Sequence, residues 1–130
     1  DIPPGNSQAS AKGKIKPAEL ADLGPDPSFA LREVFAFPNP ARNGANPAIH
    51  VEVGVAEQVD LKIYDMAGDL VKEASFNGSP GVHGHAGSEP QYAYEYSLES
   101  SIPTGVYLYV INARNNGVSL KKVGRFAVVR

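Results

Sequence analysis

The chain has no cysteine among its 130 residues. That absence excludes disulfides, thiolate catalysis and Cys-ligated zinc or iron–sulfur centres, while leaving the compartment open. No apolar run approaches the ~20 residues of a membrane span, so no insertion into a membrane is expected. A dominant charge of either sign is missing too, since 12 Lys and Arg face 14 Asp and Glu, for a net charge of −2 and a pI near 5.9. That balance gives no footprint for nucleic acid or an anionic surface. There is no nucleophile elbow, phosphate loop or zinc-protease motif, so neither an enzyme nor a cofactor is expected. Convincing helix signals are absent, and 13 Gly and 11 Pro point instead to turns and an extended tail. The opening Asp1-Ile2-Pro3-Pro4 shows neither a start Met nor a signal peptide, and the sequence reads as a C-terminal piece of something longer.

What is present is alternation. Val59, Leu61 and Ile63 alternate with Asp60, Lys62 and Tyr64, the pattern of a half-buried strand. It ends at Asp65-Met66-Ala67-Gly68-Asp69, where acidic side chains can bond the local backbone and Gly68 can take a positive φ, and apolar residues resume at Leu70 and Val71. A hairpin is expected there, and other strands must cover its apolar face. Leu31 to Phe37 reads as an edge strand bent by Pro38 and Pro40. Ile49, Val51, Val53 and Val55 form a second inward row, and Tyr92, Tyr94 and Tyr96 share one face of another strand. Val106 to Ile111 is apolar on both faces and so reads as central, and Asn115-Asn116-Gly117 joins it to a last strand from Val118 to Arg130. About seven short strands separated by turn signals predict an all-β, immunoglobulin-like antiparallel β-sandwich over residues 33–130. Its expected core is Ile49, Val51, Val53, Leu61, Ile63, Val106, Leu108, Val110 and Val128.

Residues 1–32 differ in composition, with Pro3, Pro4, Pro17, Pro25 and Pro27 set among Gly, Ser, Asn and Lys. They read as an extended Pro-rich arm or linker, with one short helical turn possible between Pro17 and Gly24. Ile2, Ile15, Leu20, Leu23, Phe29 and Leu31 are its candidate anchors, laid in sequence along an apolar surface. A neighbouring copy is one expected receiver, giving a homo-oligomer assembled through the arm.

Three motifs occur in order: Phe37-Pro38-Asn39-Pro40, Leu61-Lys62-Ile63-Tyr64-Asp65-Met66-Ala67-Gly68, and Thr104-Gly105-Val106-Tyr107-Leu108-Tyr109. Together they resemble the bacterial C-terminal sorting domains linked to type nine secretion, and the similar immunoglobulin-like domain of the flagellar hook-capping protein family. The basic and apolar ending Gly124 to Arg130 resembles the family's last strand, with Arg130 taken as the C-terminus. The chain departs from the hook-capping pattern at Leu98-Glu99-Ser100, where many members carry Trp-Asp-Gly, and its loop from Asn77 to Pro90 is long. The resemblance implies a non-catalytic module of a secreted or cell-surface bacterial protein, read by the secretion machinery or used for anchoring. The motif residues Pro38, Asn39, Pro40, Tyr64, Asp65, Gly68, Gly105, Val106 and Tyr107 have structural explanations first: bends, backbone freedom, and a buried ring with a bonded hydroxyl.

Other constellations carry less. His83, His85 and Glu89 offer nitrogen and oxygen ligands, but in a loop without a familiar spacing, so no metal is assigned. Asp65 and Asp69 lack the carboxylate density of a calcium loop. Gly78, Gly81, Gly84 and Gly87 recur too few times for a collagen-like helix. Alternatives to sorting are a structural or adhesive subunit pairing through the arm and sheet edges, and a carbohydrate-binding module using Tyr92, Tyr94 and Tyr96.

Overall fold

The computed structural model describes residues 24–84, 89–99 and 102–130. They form nine strands: β1 (Val34–Phe37), β2 (Ala41–Arg42), β3 (Ala48–Val51), β4 (Gln58–Asp65), β5 (Leu70–Phe76), β6 (Gly81–His83), β7 (Gln91–Ser97), β8 (Gly105–Asn115) and β9 (Val118–Val129). No helix occurs among the described residues. One sheet has the order β2-β9-β8-β4-β5 and the other β1-β3-β7-β6. The all-β sandwich read from the sequence is therefore what the chain adopts, with nine strands instead of about seven. The two extra strands are β2 and β6, two and three residues long. Such pieces are too short to show a period. β2 also departs from the expected antiparallel scheme, running parallel to β9 with Ala41 opposite Val128 and Arg42 opposite Val129.

Local chemistry explains the hairpins. In the β4–β5 turn one carboxylate oxygen of Asp65 accepts from the N–H groups of Ala67 and Asp69, both at 3.0 Å. Gly68 has φ 91°, a conformation that costs a side-chain-bearing residue roughly 1–2 kcal/mol. At the β8–β9 turn both loop residues are left-handed, Asn116 at φ 50° and Gly117 at 76°, which matches the right-handed twist of the strands they join.

Between the sheets lie Ile49, Val51, Val53, Val59, Leu61, Ile63, Ile111, Phe126 and Val128, all essentially inaccessible. The expected core is right for β3 and β4 and inverted for β8. There Tyr107, Tyr109, Ile111 and Ala113 point inward, while Val106 is 42% exposed and Leu108 and Val110 are half-buried on the outer face. Tyr107 and Tyr109 stack on Phe126 at 5.5 and 6.5 Å, and their hydroxyls reach the carbonyls of Pro103 (2.6 Å) and Val34 (3.2 Å). Gly124 makes room for this arrangement, because a Cβ there would overlap the Tyr109 hydroxyl. A second inversion follows Gly54. Its φ of 72° turns the chain so that Val55, expected inside, is exposed, and a Cβ on Gly54 would overlap the Ser28 carbonyl.

Candidate functional site

The three motifs meet at one end of the five-stranded sheet. Asp65 on β4 lies opposite Tyr107 on β8, and Tyr107 lies opposite Phe126 on β9. One step along, Tyr64 faces Leu108, which faces Arg125. Gly105, at the start of β8, faces Val128. The Pro38-Asn39-Pro40 segment reaches the same place from the other sheet. The Asn39 side chain accepts from the Ala127 N–H through Oδ1 at 3.0 Å and donates through Nδ2 to the Arg125 carbonyl at 3.5 Å. A side-chain amide thus stands in for the neighbouring strand that β9 lacks at this level. β9 is gripped further at its end, where Arg130 donates to the Ile102 carbonyl through Nε (2.9 Å) and to the Ala45 carbonyl through a terminal nitrogen (3.3 Å). Asn39, Val106, Arg125, Phe126 and Ala127 line a shallow concavity of about 350 Å³ at this corner.

Burial raises the pKa of Tyr109, and burial with the nearby Asp65 carboxylate raises that of Tyr107, so both phenols stay neutral hydrogen-bond donors well into the alkaline range. Val106, by contrast, contributes a face and not a contact to the core. Farther along the same face Val123, opposite Val110, is 52% exposed, so the outer face of this sheet carries apolar side chains among Lys62, Arg125 and Lys121.

The described part of the arm lies on its own sandwich. Val55 N–H bonds the Pro27 carbonyl (2.9 Å), Ala30 N–H the Val53 carbonyl (3.2 Å) and Arg32 N–H the Glu52 carbonyl (2.9 Å). Phe29 packs against the domain's own core and Leu31 is exposed. Of the candidate anchors, Phe29 therefore finds apolar cover on its own domain. The other anchors, Ile2, Ile15, Leu20 and Leu23, fall outside the described residues.

The aromatic row expected on β7 also turns inward. Tyr94 is in the core, with its hydroxyl donating to the Gly78 carbonyl at 2.8 Å, and Tyr96 packs edge-on to Phe76 with centroids 5.8 Å apart. These rings do not offer an exposed platform for a sugar.

A polar cluster occupies the opposite face of the same sheet. His50 is fully buried, with Nδ1 2.6 Å from a Glu95 oxygen and Nε2 2.6 Å from a Glu52 oxygen. Phe35 stacks on the ring at 4.6 Å, and His83 approaches both His50 and, through Nδ1 at 3.3 Å, Glu95. Cross-strand register explains the grouping, since Phe35, His50 and Glu95 are direct neighbours across β1, β3 and β7. Of the loop ligands considered from sequence, His83 joins this cluster, Glu89 is exposed and His85 falls outside the described residues. Among the described residues no group of three or more His, Cys, Asp or Glu is arranged to hold a metal ion.

A family model described as "Secretion system C-terminal sorting domain" matches residues 35–124. The match spans all three motifs and all but the last residues of β9, and it bears on the first of the two resemblances drawn from the sequence, not on the second. No curated protein and no solved structure gives a significant match.

Proposed function

The chain belongs to the secretion system C-terminal sorting domain family, and from that membership we propose that it serves as a non-catalytic recognition module whose readable feature is the end of the five-stranded sheet built around β9. The family marks proteins exported to the cell surface or the extracellular space, so the partner of such a domain is the secretion machinery. One observation supports the assignment of the feature: motif residues far apart in sequence converge on β9 through Asn39, Gly105 and Tyr107. The polar groups of Asp65, Tyr107 and Asn39 are used on backbone partners. Convergence of this kind favours the reading of a shaped surface offered to a partner.

The test is a reporter protein carrying this chain at its C-terminus in a bacterium with the matching secretion system. Deletion of residues 118–130 is expected to abolish export, and Asn39→Ala to reduce it while the domain remains folded. Export of the deletion at the level of the intact fusion would overturn the proposal.

A further inference from the structure

Most of β9 has an unoccupied edge. The strand runs from Val118 to Val129, but β2 pairs with it only at Val128 and Val129, and Asn39 closes it only at Arg125 and Ala127. Because the Arg125 carbonyl and the Ala127 N–H point toward that edge, and strand residues alternate in direction, Ser119, Lys121 and Val123 direct their N–H and C=O groups the same way. Among the described residues nothing pairs with them. An edge of this kind is a template for an added strand.

Charge decides what can be added. From Val118 to Arg130 the sequence has no acidic residue, whereas Lys121, Lys122 and Arg125 are all exposed. Among the described residues, none of the three has a carboxylate within ion-pair distance. Lys121 and Arg125 lie on the outer face of the sheet and Lys122 on the other, so cations flank the open edge on both sides. The other edge of this sheet, β5, differs: it carries both signs, and its Lys72 is bonded to Glu99 at 2.7 Å. Pairing of β9 with β9 of a second copy would set Lys121, Lys122 and Arg125 against their own kind, which disfavours self-association.

We propose that the open edge of β9 at residues 119–124 is a docking site that takes an acidic, extended segment of a partner protein as an added strand. The incoming backbone bonds Ser119, Lys121 and Val123, and its carboxylates meet Lys121 and Arg125 on one face or Lys122 on the other, according to register. Asn39 and the concavity beside it mark where the added strand must stop. This deepens the sorting reading, on which it rests for the setting in which such a partner is met, but its test does not use export.

The probe is a synthetic peptide of alternating Glu and Val, with an alternating Lys and Val peptide as control, titrated against the intact chain by fluorescence anisotropy at low and high salt. The acidic peptide is expected to bind, more weakly as salt rises, and the basic one not to bind. Val123→Pro removes one edge N–H that makes no bond to β8, so the fold, checked by circular dichroism, is retained while affinity falls about tenfold or more. Lys121→Glu with Lys122→Glu should give a similar loss and reverse the preference between the two peptides. No binding of the acidic peptide, equal binding of both, or a folded Val123→Pro that binds as the parent does would each overturn the docking site. Export of the residue 118–130 deletion decides the sorting reading separately.

Discussion

Replacing His50 by Leu tests whether the buried cluster on β3 holds the small sheet together or merely fills space. The substitution keeps an apolar side chain of similar size under Phe35 and removes both ring nitrogens. Each hydrogen bond to a carboxylate contributes roughly 1.5–3 kcal/mol net, and the low end applies here because Glu52 and Glu95 keep 14% and 21% of their side-chain surface exposed and recover some water. Two such bonds give about 3 kcal/mol, to which the lost stacking on Phe35 adds about 0.5 kcal/mol. Leucine recovers about 1 kcal/mol by burying more apolar surface. The expected net loss is therefore about 2.5 kcal/mol, or a Tm lower by about 10 °C for a domain of this size. Urea unfolding monitored by circular dichroism measures it. A double-mutant cycle with Glu95→Gln should show a coupling of at least about 1 kcal/mol, because neutralising one carboxylate relieves part of what the missing ring leaves unbalanced. If His50→Leu unfolds within about 0.5 kcal/mol of the parent, the ring's two bonds are not stabilising and this reasoning fails.

Tyr107→Phe removes the hydroxyl that donates to the Pro103 carbonyl at 2.6 Å and should cost about 1–1.5 kcal/mol in the same assay. Gly54→Ala forces a side chain onto a left-handed residue and against the Ser28 carbonyl. A loss of about 2 kcal/mol or more is expected, with faster amide exchange at Ala30 and Val55, and unchanged exchange there would refute the account of the arm. The Asp60 carboxyl is held below its usual range by hydrogen bonds from Ser75 and Gln58, with Arg114 and Lys62 assisting. Its folded-state pKa is depressed, so its contribution is present above the unfolded value near 3.8 and is lost as pH falls through the lower folded value. Asp60→Asn should flatten the stability profile below about pH 4 and leave it steep above pH 10, where the raised phenols of Tyr107 and Tyr109 make folding resist ionisation.

The β4–β5 hairpin, the last two strands and the division into two sheets were legible because alternation and turn residues are local signals. The inner face of β8 was not, since Val106, Leu108 and Val110 are as apolar as Tyr107, Tyr109 and Ile111 and periodicity cannot choose between them. What chooses is tertiary: the phenols need carbonyls at the rim, and Gly124 leaves space for one of them. The burial of His50 was not legible either, because a polar residue in an alternating strand normally faces solvent and nothing local announces that Phe35 and two glutamates meet its ring. Asn39 stood out as part of a motif, but its partners lie more than eighty residues away, and only the folded chain brings them together.

That distance has a consequence for the order in which the domain forms. The Asn39 to Ala127 clip closes a loop of 88 residues, and β9 supplies Phe126 and Val128 to the innermost packing. Local hairpins close quickly, whereas long loops close late, after the entropy of the intervening chain has been overcome. A polypeptide emerging in sequence from the ribosome can form the β4–β5 hairpin early, yet lacks a lid for its apolar interior until β9 has followed. Chains that stop before Val118 are expected to remain open and sensitive to protease. The Asn39 clip needs Arg125 and Ala127 beside it, so the corner around β9 cannot close before the last strand has been synthesised.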